Sequence, residues 1–194
     1  MEASDQDLVA RVRDGDRDAF RVLVDRYSRS VFRLGYRMTA TEQDAEDVVQ
    51  ETFLRAYKQL HRYESRSSFG TWIYRIAANY ALDLLRARER RQEMALEPMN
   101  GSGERFDPPA ETASPEGLAY AVQLRTGLDH AMRELSPQER VAFSLRHFEG
   151  CSIEQIATAL EVSETAAKNS VFRAVQKLRR SLEPLVAAAR GGVA

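Results

Sequence analysis

The chain has 194 residues, with 28 Lys and Arg against 29 Asp and Glu, a net charge of −1, 43% hydrophobic residues and a single cysteine. That length suits one medium domain or two small helical ones, and no apolar run is long enough to span a membrane, so no direct membrane insertion is expected. The polar, acidic stretch Met1–Arg13 lacks the apolar segment of a secretory signal, and the lone Cys151 excludes an internal disulfide and suits a reducing cytoplasm.

The first block, residues 1–92, has apolar residues at Leu8, Val12, Phe20, Leu23, Val24, Tyr27, Val31, Phe32 and Leu34, mostly three or four apart, with a break near Gly15. This spacing predicts helices. Thr41, with Asp44 three residues later, predicts a helix start, and Val49, Phe53, Tyr57 and Leu60 mark one face of that helix. The polar run 64–68 interrupts the pattern. Trp72, Ile76, Tyr80 and Leu84 then predict a helix from about Phe69 to Arg91. From Glu93 to Gly117 periodicity vanishes and four of the six prolines gather, which predicts an acidic, flexible linker.

The second block spans 118–185 and precedes a tail at 186–194. Leu124, Leu128, Ala131 and Leu135 mark a helix face. Ser136-Pro-Gln-Glu139 and Ser152-Ile-Glu-Gln155 predict two capped helix starts, and Ser163 predicts a third. With no sustained period-two alternation, the expected fold class is all-α: two small helical domains joined by the linker.

Charge is unevenly placed. Residues 1–92 are net +2, 93–135 net −5 and 136–182 net +2. Three constellations stand out. A short helix, a tight connection at 161–163 and a second helix form a helix-turn-helix. With Ala167, Val171, Ala174 and Leu178 inward, Thr165, Lys168, Asn169, Phe172, Arg173 and Gln176 face outward, and 168–180 holds five basic residues and no acid. Those side chains suit phosphates and base edges in the major groove. The bland reading is a solvated face, and the lack of acid favours DNA.

The second constellation is Glu42, Asp44, Glu46, Asp47 and Glu51, with no basic residue from 38 to 54. Phosphates would repel it. Spacing alone favours a solvated helix start over a protein-docking face. The third is aromatic and basic: Tyr63, Phe69, Trp72, Tyr74 and Tyr80 among arginines. Such interleaving suits unstacked bases, though Trp72 and Tyr80 are in phase with the core, which leaves Tyr63, Phe69 and exposed arginines as candidates. His147 and Cys151 lack companion ligands, so no metal is expected. No Walker loop, dinucleotide motif or nucleophile–base set is present, so neither a cofactor, a small-molecule substrate nor an enzyme is expected.

Taken in order, Ala45-Glu-Asp-Val-Val-Gln-Glu-Thr-Phe53, Phe69-Gly-Thr-Trp-Ile-Tyr-Arg-Ile-Ala-Ala-Asn79, Leu135-Ser-Pro-Gln-Glu-Arg140, Glu149-Gly-Cys-Ser-Ile-Glu-Gln-Ile-Ala157 and Ser163–Arg179 resemble the extracytoplasmic-function sigma factors, which keep regions two and four of the sigma-70 family. The resemblance implies that residues 1–92 form region two and 118–185 region four. It implies that Asp47, Gln50, Glu51 and Arg55 contact core RNA polymerase, which favours docking for the acidic helix. It implies that Tyr63, Ser65, Arg66, Ser67, Phe69 and Asn79 hold a flipped base of the minus-ten promoter element. Arg146, Thr165, Lys168, Asn169, Phe172 and Arg173 would meet the minus-thirty-five element. The acidic linker would thread the polymerase's RNA path, and an anti-sigma factor would control the protein. Two departures concern promoter choice: Ser170 stands where many relatives carry Arg, and Ala167 where they carry a β-branched residue. Rival readings from the residues are an autonomous helix-turn-helix regulator with a sensing domain, which leaves the acidic helix unexplained, and a non-DNA adaptor.

Overall fold

The computed structural model describes residues 3–65, 67–94 and 126–191, and among them every regular element is helical. The predicted linker, 93–117, lies outside the described residues apart from 93 and 94, which belong to a helix.

Local chemistry sets where each helix begins. Ser4 and Asp7 form a reciprocal capping box on α1 (Asp5–Arg13). Gly15, at φ 99°, then makes a turn where the apolar spacing breaks. Asp16 accepts from the amides of Asp18 and Ala19 and starts α2 (Arg17–Thr39). Ala40 closes α2 in the left-handed region, and Thr41 accepts from Asp44 N to start α3 (Glu42–Gln59). A 3-10 turn, Leu60–Arg62, and a loop lead into α4 (Phe69–Met94). These four helices bury Leu8, Leu23, Leu34, Met38, Val48, Phe53, Phe69 and Ile73. Gly35 lets α2 and α3 approach closely, since a Cβ there would lie 3.1 Å from Val48 Cβ and 3.2 Å from Ala45 Cα.

The second lobe holds a helix whose described part is 126–133 (α5), then α6 (Pro137–His147), α7 (Ile153–Leu160) and α8 (Glu164–Gly191). Each predicted start has its cap. Ser136 pairs reciprocally with Glu139, and Ser152 with Gln155. Ser163 Oγ accepts from Ala166 N at 3.2 Å. α8 runs into the stretch read as a tail. Ala131, Met132 and Leu135 pack against Ala174 and Leu178 of α8.

The two lobes are joined by one continuous core. Val141, Leu145, Ile156, Ala157 and Leu160 belong to the same buried cluster as Val31, Leu34, Met38, Ile73 and Ala77. α7 packs against α4, and α6 against α2. Polar contacts close the seam. Arg140 Nη1 donates to the Met38 carbonyl at 2.7 Å, and its Nη2 donates to the carbonyls of Arg133 at 3.0 Å and Leu135 at 3.2 Å. The Met38 carbonyl lies in the last turn of α2, where carbonyls lack intrahelical partners and the helix dipole is negative. The guanidinium satisfies both conditions.

Candidate functional site

Three surfaces carry the residues singled out by sequence. The first is built on α7 and α8. The turn between them needs a residue with positive φ, and Glu161 supplies it at 55°. Ala167, Ala174 and Leu178 are buried beneath α8. Thr165, Lys168, Asn169, Phe172 and Arg173 are exposed together on its outer face. Phe172 is 60% exposed, a large apolar group held in water beside cations and an amide. Ser170 bonds back to the Ala166 carbonyl at 3.0 Å and adds no reach to this face. Arg146 lies near the end of α6, and its Nη1 donates to the Cys151 carbonyl at 2.9 Å, which fixes the guanidinium beside the start of α7. Lys177 belongs elsewhere: its ammonium meets Glu139 at 2.7 Å. Burial works to raise the Glu139 carboxyl, but Lys177 and the Ser136 amide outweigh it and hold the group below the usual range.

The second surface is the loop before α4. Tyr63 and Phe69, candidates for holding a base, are 4% and 2% exposed. With Trp72 they form a three-ring cluster, with centroids 5.1 to 5.7 Å apart. Aromatic edges and faces at such distances attract, and burial of the rings fixes both ends of the loop. Tyr63 Oη donates to the Ser67 carbonyl at 2.8 Å, and Ser68 Oγ accepts from Thr71 N at 3.2 Å. Ser65 is exposed, while Ser67 and Asn79 are partly exposed. Arg66 lies outside the described residues. Tyr63 and Phe69 therefore shape this loop, and its polar groups face outward.

The third surface is the acidic helix α3. Three of its five acids, Asp44, Asp47 and Glu51, differ in their surroundings. Asp44 belongs to the helix cap with Thr41 and to an ion pair with Arg88 at 2.8 Å. Asp47 and Gln50 are exposed. Glu51 accepts from Arg55 Nε at 2.6 Å, and the Arg55 guanidinium stands 4.9 Å from the Tyr80 ring centre. Burial, then the charges of Asp47 and Glu51, raise the Tyr80 hydroxyl above its usual value. Asp47, Glu51 and Arg55 thus form one stripe along α3, spaced by successive helical turns.

No group of three or more metal-ligating side chains occurs among the described residues. His147 stacks on Phe143 at 4.6 Å, and Cys151 is buried. No described helix is long and apolar enough to cross a membrane.

Sequence reasoning missed the seam. The Glu149 side chain is 3% exposed and accepts from Arg33 and Arg37, each at 3.4 Å, and from Tyr74 Oη at 3.2 Å. Arg37 also lies 3.6 Å over the Phe148 ring. Burial, then Glu149, pushes the Tyr74 hydroxyl up to about 12. The spacing of Arg33 and Arg37 was a visible cue to a shared helix face, but nothing near Glu149 in sequence marks it.

Comparison with known proteins agrees with this layout. The Sigma-70 region 2 family model matches residues 23–91, and a Sigma-70, region 4 model matches 125–178. The RNA polymerase sigma-H factor of Pseudomonas aeruginosa is 35% identical over 188 residues, covering 94% of this chain and 95% of that protein. The ECF RNA polymerase sigma-E factor of Escherichia coli K12 is 36% identical over 188 residues, covering 94% and 96%. Two solved structures share the fold. CnrH in complex with the cytosolic domain of CnrY has a TM-score of 0.67 at 23% identity, covering 94% of this chain and 99% of that one. The sigma factor RpoE with the anti-sigma factor NepR from Bartonella quintana has a TM-score of 0.64 at 22% identity, covering 84% and 93%. With the region 2 and region 4 models matched in order and both relatives covered over at least 95% of their length, the chain belongs to the extracytoplasmic-function sigma factors of the sigma-70 family.

Proposed function

We propose that the three surfaces divide the work of promoter-specific initiation, with α3 docking on core RNA polymerase, α4 and its preceding loop taking the minus-ten element, and α8 reading the minus-thirty-five element. The observation that carries this reading is the opposition of two exposed helical faces. α3 offers exposed Asp47 and Gln50 and partly exposed Glu51, and duplex DNA repels the two carboxylates. α8 offers Lys168, Asn169, Phe172 and Arg173 with no acid among them, which DNA attracts. A protein with one face for protein and another for duplex is an adaptor between the two.

On the first lobe, Arg55 completes the docking stripe through its pair with Glu51. Ser65, Ser67 and Asn79 hydrogen-bond an unstacked base, while Tyr63 and Phe69 hold the loop in shape. On the second lobe, Arg146 and Thr165 flank the reading face. Binding and positioning account for all these residues, so the role is that of a cytoplasmic initiation factor and not of a catalyst. The acidic stretch after α4 runs along the polymerase's RNA path, where its charge resembles that of RNA. Control by an anti-sigma factor fits the same surfaces, since a partner covering the Asp47–Arg55 stripe blocks recruitment.

An autonomous helix-turn-helix regulator needs no α3 docking stripe. The test is core-enzyme binding measured by fluorescence polarisation. Asp47→Lys with Glu51→Lys is expected to weaken it by roughly tenfold or more, the equivalent of about 1.4 kcal/mol. The same variant keeps its affinity for minus-thirty-five duplex. Unchanged core binding removes α3 from the interface.

A further inference from the structure

α1 is tied to the loop before α4, and the tie runs through one side chain. Arg13 is an exposed residue in the last turn of α1. A surface arginine ordinarily ends in solvent or on a carboxylate. Its neighbour Arg11 does the latter, meeting Asp16 at 2.7 Å. Arg13 instead crosses to two main-chain carbonyls, 47 and 50 residues away: its Nη2 donates to Leu60 O at 3.1 Å and to Tyr63 O. Leu60 opens the 3-10 turn and Tyr63 caps it. Leu60 O also accepts from Tyr63 N at 3.1 Å, which closes the turn. One guanidinium therefore fixes the direction in which the chain leaves that turn and enters the loop, through charge-assisted hydrogen bonds that are stronger than neutral ones.

The hold passes into the loop through Tyr63. Its carbonyl is bound by Arg13, its ring is 4% exposed among Phe69 and Trp72, and its hydroxyl donates to the Ser67 carbonyl at 2.8 Å. Burial, then Asp5, raise that hydroxyl's pKa, and the Arg13 charge acts against them. The far end of the loop is held differently. The Tyr27 ring lies 5.6 Å from Phe69, a Cβ on Gly70 would stand 3.0 Å from it, and Tyr27 Oη donates to Asp5 of α1. Rings pack the far end, whereas a polar bridge from one residue holds the near end. Removing Arg13 frees the near end alone.

Resting on the minus-ten reading above, we propose that Arg13 is a positioning residue for base recognition: through the Leu60 and Tyr63 carbonyls it sets the loop that carries Ser65 and Ser67, and thereby the base that this loop accepts. Arg13 acts through Tyr63 and not by contact with DNA. A binding group is only as selective as the residues that hold it in place.

Two measurements test this. Trp72 is the chain's one tryptophan, 6% exposed and 5.1 Å from the Tyr63 ring, so it reports on the loop without DNA. Arg13→Ala is expected to raise acrylamide quenching of the free chain by roughly twofold or more. The chain bound to core polymerase is then used to select from single-stranded oligonucleotides with a short randomised tract. Arg13→Ala is expected to lower the base preference at one position by roughly fivefold or more, with core binding by polarisation within about twofold of wild type. Arg13→Lys keeps the cation without the planar fork and is expected to fall between the two in both measurements. Tyr27→Phe removes the bond from Tyr27 to α1, leaves Arg13 in place and is expected to match wild type. Circular dichroism melts identify unfolding, and where Arg13→Ala melts below the assay temperature, Arg13→Lys carries the comparison. Unchanged quenching or unchanged base preference in the Arg13 variants overturns the proposal. Equal losses in Tyr27→Phe assign the effect to the docking of α1 as a whole and also overturn it, as does loss of core binding with Arg13→Ala. Raised quenching together with a wild-type chain that shows no base preference overturns the minus-ten reading and the positioning role with it, leaving Arg13 a structural tie.

Discussion

Arg140→Ala is the substitution that most directly weighs the seam. The side chain is 9% exposed, and its three hydrogen bonds go to carbonyls of Met38, Arg133 and Leu135. Burial lowers the guanidinium's pKa, so these carbonyl dipoles have to offset real desolvation. Hydrogen bonds to a charged group contribute about 1.5–3 kcal/mol each, and a buried carbonyl left without a donor costs about 1–3 kcal/mol. The three bonds share one ion and do not add. A loss of about 3–5 kcal/mol follows, in line with removing one partner from a buried charged cluster. That is a large share of the roughly 5–15 kcal/mol that holds a typical domain. Urea unfolding followed by circular dichroism measures it. Arg140→Lys keeps the charge but loses the planar fork and is expected to recover less than half. Asp83→Ala serves as the reference, because its pair with Arg86 is 63% and 64% exposed and such pairs contribute about 0–1 kcal/mol. If Arg140→Ala unfolds within about 0.5 kcal/mol of wild type, the carbonyl contacts do not support the seam and the reasoning fails.

Burial pushes the Cys151 thiol up to about 11 and Tyr74 up to about 12. Both groups keep protons in the folded chain that the unfolded chain releases, so stability is full below pH 9 and falls as pH rises from about 9 to 12. Thermal melts between pH 7 and 10.5 should show a falling Tm, and a flat profile would contradict the burial of both groups. The thiolate is the reactive form, so thiol labelling of the folded chain at pH 8 should be slow and should accelerate in Glu149→Arg; equal rates would place Cys151 away from the seam. On the DNA side, Arg173→Ala should weaken binding to the minus-thirty-five element by about 1–3 kcal/mol and relax preference at one base pair. Unchanged promoter preference by footprinting would remove Arg173 from base readout.

What the residues disclosed before any coordinates follows from the range over which each feature acts. Caps are local: Ser136 with Glu139, and Ser152 with Gln155, are determined within four residues, and both formed as read. The outward set on α8 follows from helical period, because Ala167, Ala174 and Leu178 had to face inward. The loop before α4 was harder. Aromatics among arginines fit either a base platform or a core, and the period breaks where it would have decided. Only the packing of Tyr63 on Phe69 and Trp72 shows them buried. The seam was least legible. Glu149 meets Arg33, Arg37 and Tyr74 across separations of 116, 112 and 75 residues, and an acid in a turn ordinarily faces solvent.

The central claim is that this chain makes core RNA polymerase promoter-specific. Run-off transcription on fragmented genomic DNA, with purified core enzyme in the presence and absence of the chain, tests it most directly. The account predicts discrete start sites that appear only when the chain is added, share a pair of upstream elements, and are lost with Asp47→Lys and Glu51→Lys together. Transcripts unchanged by the chain, or tight sequence-specific DNA binding by the chain with no effect on core enzyme, would contradict it.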